Sequence, residues 1–402
     1  MLLEWIEAIG FRNLEGSIEF GPGLNIFYGD NAQGKTNWLE AIYLLGNTKS
    51  FRTKQTRDLI AFGNESAIVR GSLLRGRVPK ELQIQAWESS KHLYVNGKRE
   101  PLQGYLGNLD VFVFSPEEME IIRGEPSHRR RFLDRGIVTV QPAYLRSISQ
   151  YNHVIKQKNK LLGLARDSES PDTFRSQVEA WNEELIELGS AIHSARIDYV
   201  DRINRVLAES EQGRTIFGAE RISVHYRSQL EGKGDLSRFG DLFRERLALR
   251  LPAEMAAGYS LIGPHRDDLE VLMDGRDLAR FGSAGQQKSA LFILDLAQVS
   301  IYNLIYEERP VLLIDDIDAE LDRGRIDAVF SELEGRVQTF VSTSRRGISA
   351  RYHDRASIYL VELGKSIGES VIRNHTAQSE LADERTGEPS GPPGPDELNV
   401  AN

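Results

Sequence analysis

The chain has 402 residues, a formal net charge of −9, 40% hydrophobic and 27% charged residues, and no cysteine. The lack of cysteine excludes a disulfide scaffold, thiolate-bound zinc, iron–sulfur clusters and thiol catalysis, and no run approaches the ~18 uninterrupted apolar residues of a membrane span. At ~150 residues per domain the length predicts two or three domains, or one large domain with an insertion, and the acidic balance argues against indiscriminate polyanion binding while leaving room for a local basic groove.

The opening residues, MLLEWIEAIGFRNLE, lack the basic start and long apolar run of a signal peptide. Residues 23–28 (GLNIFY) are a short apolar run leading into a glycine, which reads as a buried strand, and 37–45 (NWLEAIYLL) read as a buried helix. Short strands follow at 66–74, 82–87, 93–95 and 111–114, with Asn96-Gly97 as a hairpin dipeptide. The middle then changes character. Apolar residues fall at Tyr144, Ile148, Tyr151, Ile155 and Leu162, and again at Val178, Trp181, Leu185, Leu188, Ile192, Ala195 and Tyr199. Steps of three and four keep one helix face apolar, and the turn formers of 167–173 (DSESPDT) separate the two stripes. Residues near 141–208 are therefore predicted to form an antiparallel helical hairpin, either an ordinary subdomain or a projecting arm, with helices of about 25–30 residues and roughly 40 Å. From Tyr259 the mixed texture returns: a long helix at 284–304, apolar on most sides, and strands at 310–314 and 339–341. Residues 377–402 carry six acidic residues against Arg385 alone, four prolines and few large apolar side chains. Such a segment cannot offset its ordering entropy and is expected to be disordered.

Three segments carry chemistry. Gly29-Asp30-Asn31-Ala32-Gln33-Gly34-Lys35-Thr36 fits the phosphate-binding loop pattern and lies between the expected strand and helix. Glycines let such a loop turn its N–H groups toward a phosphate, and the following helix adds its positive end. Lys35 would reach the β- and γ-phosphates and Thr36 would bind Mg²⁺. Val311-Leu312-Leu313-Ile314-Asp315-Asp316 fits the partner strand, with Asp315 in the Mg²⁺ shell and Asp316 orienting or deprotonating the attacking water. Some 280 positions separate the two motifs, so most of the chain is inserted between two parts of one site. Third, Ser283, Gly285 and Gln286 open the long helix, where a hydroxyl and free N–H groups make a second anion site. Two anion sites per chain point to a nucleotide shared between two protomers; a simple N-cap is the alternative.

This constellation resembles the ABC-type ATPases of the SMC, Rad50 and RecF class, and more narrowly the RecF family. The stretches that carry the resemblance are Phe11-Arg12-Asn13-Leu14, Gly34-Lys35-Thr36-Asn37 with Leu39-Glu40-Ala41-Ile42-Tyr43, and Phe114-Ser115-Pro116-Glu117. They continue with Arg129-Arg130-Arg131-Phe132-Leu133-Asp134, Gly263-Pro264-His265-Arg266-Asp267-Asp268, residues 283–287, and Asp315-Asp316 through Glu320-Leu321-Asp322. The resemblance implies an α/β fold: an ABC-type P-loop ATPase head with an inserted helical, coiled-coil-like arm. Its expected divisions are a head part at 1–118, the arm at 119–255, a second head part at 256–374 and the acidic tail at 375–402. It implies ATP and Mg²⁺ as cofactors and an ATP-dependent homodimer. The nucleotide contacts are residues 29–37 with Arg12, Ser283, Gly285 and Gln286; Thr36 and Asp315 take the metal; Lys35, Asp316 and Ser283 act in catalysis. It further implies weak DNA-stimulated ATPase activity and a clamp on gapped DNA in recombinational repair, working with RecO and RecR to load RecA in a bacterial cytoplasm, away from membranes. The alternative is an ATPase of the same class that uses ATP as structural glue.

The chain departs from the wider class at several places. Asp316 stands where a glutamate is usual, Ala319 where the D-loop often has serine, and Ser115 where a Q-loop glutamine is expected. Ser342, Thr343 and Ser344 replace the switch histidine, so a γ-phosphate sensor there would be a hydroxyl. Candidate DNA contacts are Lys49, Arg52, Lys54 and Arg57, then Arg129, Arg130 and Arg131, with Lys156, Lys158 and Lys160 on the hairpin. Solvated helix faces are the alternative for each cluster. Arg129 to Arg131 could equally anchor the arm, and 265–268 could be an internal ion-pair network.

Overall fold

The computed structural model describes residues 1–209 and 221–367. The acidic tail expected at 375–402 lies outside them. The strands are β1 (Leu2–Phe11), β2 (Leu14–Glu19), β3 (Leu24–Tyr28), β4 (Ser66–Arg75), β5 (Val78–Trp87), β6 (Lys91–Val95), β7 (Lys98–Glu100), β8 (Val111–Phe114), β9 (Ile222–Arg227), β10 (Asp268–Met273), β11 (Arg276–Asp277), β12 (Val311–Ile314), β13 (Gln338–Thr343), β14 (Ala356–Glu362) and β15 (Lys365–Ile367). The main helices are α1 (Lys35–Asn47), α2 (Pro126–Val140), α3 (Tyr144–Arg166), α4 (Arg175–Glu209), α5 (Phe239–Ala257), α6 (Ala284–Tyr306) and α7 (Arg323–Leu333).

One sheet runs β2-β1-β4-β5-β6-β7 and is antiparallel throughout. Its last turn has Asn96 and Gly97 both at positive φ, as a two-residue hairpin requires. The central sheet runs β15-β14-β3-β13-β12-β8, parallel except for the β14–β15 hairpin. Here β3, from the first tenth of the chain, sits between β13 and β14 from the last fifth. The ends of the chain are thereby folded into one sheet around everything between them.

The apolar runs of the central strands follow from that position. In β12, Val311 and Leu313 enter the core shared with α1 and the antiparallel sheet, while Leu312 and Ile314 enter the core shared with α6 and the arm. The same alternation puts Phe27 and Phe340 on the first side and Ile26 and Val341 on the second. A parallel sheet covered on both faces needs apolar residues at every position, which is why these strands read as continuous runs. By length and composition α6 is apolar enough to cross a membrane, yet 61% of its most apolar window is buried inside the head. It is the core helix beneath the sheet.

The arm differs from a two-helix hairpin in two ways. α3 has 23 residues and α4 has 35, so the return helix is the longer, about 50 Å. α5 packs against both of them, burying Phe243, Leu247 and Leu251. Within the span 119–255, β9 pairs with β10 across the 255/256 position, forming with β11 a three-stranded sheet at the base of the arm.

Candidate nucleotide site

The phosphate loop leaves β3 at Gly29 and re-enters regular structure at Lys35, the first residue of α1. Gly29, Ala32 and Gly34 all have positive φ. At Gly29 a Cβ would lie 2.5 Å from the carbonyl oxygen of Val361 on neighbouring β14, so only glycine fits. Lys35 curls back over the loop, and its Nζ donates to the carbonyls of Gly29 and Asp30 at 2.8 Å each. Burial pushes its pKa down, opposed by the negative charges of Asp316, Asp318 and Asp315. A feature not visible in the motif covers the loop from the other end of the chain. Leu363 N–H donates to Gln33 Oε1 at 2.7 Å and Gly364 N–H to the Gln33 carbonyl at 2.8 Å, so the β14–β15 turn caps the loop.

Thr36 and Asp315, 279 positions apart, meet directly: Thr36 Oγ1 donates to Asp315 Oδ1 at 2.9 Å. Ser342 Oγ donates to the same oxygen at 2.5 Å and accepts the Asp316 N–H at 2.8 Å. Burial raises the Asp315 pKa, opposed by these two hydroxyls. Asp316 sits just past β12 with φ of 51°, a left-handed conformation that aspartate tolerates better than most residues. The hydroxyls expected to sense a γ-phosphate are engaged elsewhere. Ser342 holds Asp315, while Thr343 Oγ1 and Ser344 Oγ donate to Asp318 at 2.6 and 2.9 Å. A parallel β13 register beside β12 is what aligns hydroxyls with carboxylates, and neither strand alone announces it.

Ser283 caps α6. Its Oγ accepts the Gln286 N–H at 3.3 Å and the Gln286 side chain accepts the Ser283 N–H at 2.8 Å, a complete capping box. Ser283 and Gly285 are exposed, so the N-cap reading holds locally while the turn still faces outward. Lys288, one turn on, donates to the Ala319 carbonyl at 3.0 Å and links this helix to the segment after Asp316.

Arg12 clasps Glu40 with two hydrogen bonds, at 2.8 and 2.9 Å. Glu40 is fully buried on α1 and also accepts the Ser50 hydroxyl at 2.5 Å. Arg52 reaches Glu40 at 3.5 Å and donates to Asn37 Oδ1 at 2.8 Å, and Asn37 donates to Asn13 at 2.7 Å. The basic segment after α1 is thus fastened to the nucleotide-loop helix. Its other cations, Lys49, Lys54 and Arg57, are exposed, with Arg57 paired to Glu88 at 3.2 Å.

The remaining basic residues divide by burial. Arg129 makes a two-pronged bond to Asp268 at 2.7 and 2.9 Å, and Arg130 donates to the Asp267 carbonyl at 2.6 Å. Both act as anchors, leaving Arg131 exposed. Asp134 of the same stretch accepts two bonds from buried Arg196 of α4, at 3.0 and 3.1 Å, and one from Tyr144 at 2.6 Å. Tyr226 donates to Asp267, and the Tyr151 hydroxyl meets His265 Nδ1 at 2.8 Å. Residues 129–134 and 263–268 therefore form one internal network that seats the arm on the head. Lys158 corrects the basic reading of the hairpin: it is fully buried and paired with fully buried Glu254 at 2.7 Å.

A phosphate loop, a buried aspartate held against it and an outward-facing serine turn, on one sheet split by a helical arm, define an ABC-type P-loop ATPase head. Residues 2–366 match the family described as the RecF/RecN/SMC N terminal domain. The chain is 36% identical to the DNA replication and repair protein RecF of Halothermothrix orenii, over 86% of this chain and 92% of that protein. It is 37% identical to that of Geobacter sp. (strain M21), over 86% and 93%. A solved structure of the recombination mediator protein RecF-ATP in the RecFOR pathway matches with a TM-score of 0.80 at 29% identity, over 91% of this chain and 98% of that one. The Smc head domain derived from Pyrococcus furiosus, at 16% identity and a TM-score of 0.52, shares the fold alone. The chain belongs to the RecF family.

Proposed function

We propose that the protein is an ATP-dependent DNA-binding clamp of recombinational repair. ATP drives two heads together on gapped DNA, the closed dimer works with RecO and RecR to promote RecA loading, and slow hydrolysis resets it. The observation that carries this reading is the division of the site. Thr36, Asp315 and Ser342 are already gathered around the phosphate loop, whereas the Ser283 turn faces solvent. A second copy would supply that turn to the same nucleotide.

In this reading Lys35 exchanges the two loop carbonyls for phosphate oxygens. Four aspartates nearby, Asp316, Asp318, Asp315 and Asp30, favour its charged form against burial. Thr36 Oγ1 and Asp315 Oδ1 are hard oxygen donors that converge on one point, a set that suits Mg²⁺, which takes one or two protein oxygens and completes its shell with phosphate and water. The ion neutralises phosphate charge when bound. Asp316 orients the attacking water and accepts its proton, from a side chain one methylene shorter than glutamate, which accords with slow turnover. The Ser283 turn offers a hydroxyl and helix-end N–H groups to the γ-phosphate of the nucleotide opposite.

The test is fluorescence anisotropy of a labelled gapped duplex at one stated salt concentration, with and without Mg-ATP, alongside the mass of the complex. Mg-ATP is expected to tighten binding and produce a dimer, and Lys35→Ala to lose both responses. A Lys35→Ala protein that dimerises on ATP and binds DNA normally would end this reading. Asp316→Asn separates the reset from structural glue, because only a reset predicts a longer-lived ATP dimer.

A further inference from the structure

We infer that Arg345 is the γ-phosphate contact that the chain supplies to its own nucleotide, in place of the switch histidine of the wider class. The inference rests on the ATPase reading of the site and adds to it the group that tells ATP from ADP.

The register of the central sheet sets the position. Ile314 of β12 lies beside Val341 of β13, and Thr343 of β13 lies beside Tyr28 of β3. Past Tyr28 the chain enters the phosphate loop at Gly29, and past Ile314 it enters Asp315 and Asp316. β13 runs between these two strands. The residues after Thr343 therefore leave the sheet at its carboxyl edge, between the phosphate loop and the metal-side aspartate, where parallel sheets hold their ligands. Those residues are Ser344 and Arg345.

The hydroxyls on this edge are already committed, Ser342 to Asp315 and Thr343 and Ser344 to Asp318. Arg345 N–H donates to Thr343 Oγ1 at 3.1 Å, which fixes the backbone as it leaves the strand. Its Nε lies 3.5 Å from Asp318 Oδ2, an ion pair without a hydrogen bond. Asp318 also accepts the Ser344 N–H at 3.2 Å, so three donors satisfy it when the guanidinium moves away. Asp318 is in turn close enough to Lys35 to support that residue's charge. The Arg345 head group is thus tethered beside a carboxylate of the phosphate site. Its side chain is 67% exposed, and among the described residues nothing accepts a hydrogen bond from the guanidinium. All five of its N–H donors are available.

Electrostatics and shape choose the ligand. Asp316, Asp318, Asp315 and Asp30 all act on Lys35, and one lysine with one Mg²⁺ leaves those carboxylates and a triphosphate with excess negative charge. The loop N–H groups cradle the α- and β-phosphates, so the outermost phosphate is the one left for a group at the rim. A planar guanidinium meets two of its oxygens at once. On binding, Arg345 exchanges Asp318 for the γ-phosphate, whose oxygens carry the charge as the group is transferred.

The experiment measures binding of Mg-ATPγS and of Mg-ADP by titration calorimetry, and phosphate release from ATP. It uses full-length wild type, Arg345→Ala, Arg345→Lys and Arg346→Ala, the last an exposed neighbour that opens the short helix Arg346–Arg351. Arg345→Ala is expected to weaken ATPγS about tenfold or more, the worth of a charge-assisted hydrogen bond, and to leave ADP within about twofold. Phosphate release should fall by about a hundredfold or more. Arg345→Lys should recover part of the ATPγS affinity, since a point charge replaces the fork, and Arg346→Ala should match wild type. A purely structural pair with Asp318 would move both nucleotides together or neither. The inference is overturned if Arg345→Ala weakens both nucleotides alike, if it binds ATPγS and turns ATP over as wild type does, or if Arg346→Ala loses as much. It is also overturned if the ATPγS loss appears only at concentrations where heads dimerise, because the contact would then be made to the partner's nucleotide. Wild type that binds neither nucleotide overturns the ATPase reading itself, and the inference with it.

Discussion

Lys158→Met is the most informative perturbation of the arm, because sequence and structure assign that lysine opposite roles. Lys158 Nζ lies 2.7 Å from Glu254 Oε2 as a charge pair and donates to Asn182 Oδ1 at 2.9 Å; both ionic side chains are fully buried. At an effective dielectric of about 20 the attraction at this distance is about 6 kcal/mol. Desolvating each ion costs several kcal/mol, so the intact pair contributes little net stability. Breaking it is another matter, since it strands a buried carboxylate, at a cost of about 3–5 kcal/mol. Glu254 would keep two bonds through Oε1, from Ser260 Oγ at 2.9 Å and Leu261 N–H at 2.8 Å, which places the expected loss near about 3 kcal/mol. Urea unfolding of Lys158→Met, Glu254→Leu and the double variant gives the cycle. Each single variant should be destabilised and the double variant should recover more than half of the loss. Wild-type DNA affinity is expected in the folded single variant. A loss below about 1 kcal/mol, or a double variant no better than the worse single, would refute the buried-pair argument.

Three further outcomes follow from the same geometry. Ser342→Ala removes one of the two hydroxyls that hold Asp315, leaving Thr36, and strands the Asp316 N–H; phosphate release should fall at least about tenfold while metal-free nucleotide binding stays within about twofold, and equal turnover would refute the tether. Gly364→Ala places a Cβ against the Asn13 carbonyl at φ of +75°; nucleotide titration should show binding weakened by about tenfold or more, whereas Leu363→Ala, at an exposed neighbour, should be neutral. Asp295, buried on α6 with neither carboxylate oxygen hydrogen-bonded, has its pKa raised, chiefly by burial. Its unfolded form therefore ionises first, so it lowers stability as pH climbs above about 4. Asp295→Asn should gain thermal midpoint over wild type between acid and neutral pH, and a difference independent of pH would count against it.

The sequence by itself determined the class and the places of its motifs. The loop at 29–36, the apolar strand ending in Asp315 and the serine before α6 are local patterns, because a phosphate cradle, a parallel strand and a helix cap each depend on neighbours a few positions away. The helical stripes of the arm were legible for the same reason, one face repeating every three or four residues. What pairs with what was decided only in three dimensions. No local pattern says that Ser342 serves Asp315, that Gly364 caps Gln33, or that α5 completes the arm, since each contact joins segments far apart in sequence. Charge was the least legible property. Lys156, Lys158 and Lys160 read alike, yet Lys158 is wholly buried, and Arg129 and Arg130 turn inward while Arg131 faces water. A cation's role depends on which carboxylates the fold brings within reach and how much water is left between them, and only the tertiary structure sets both.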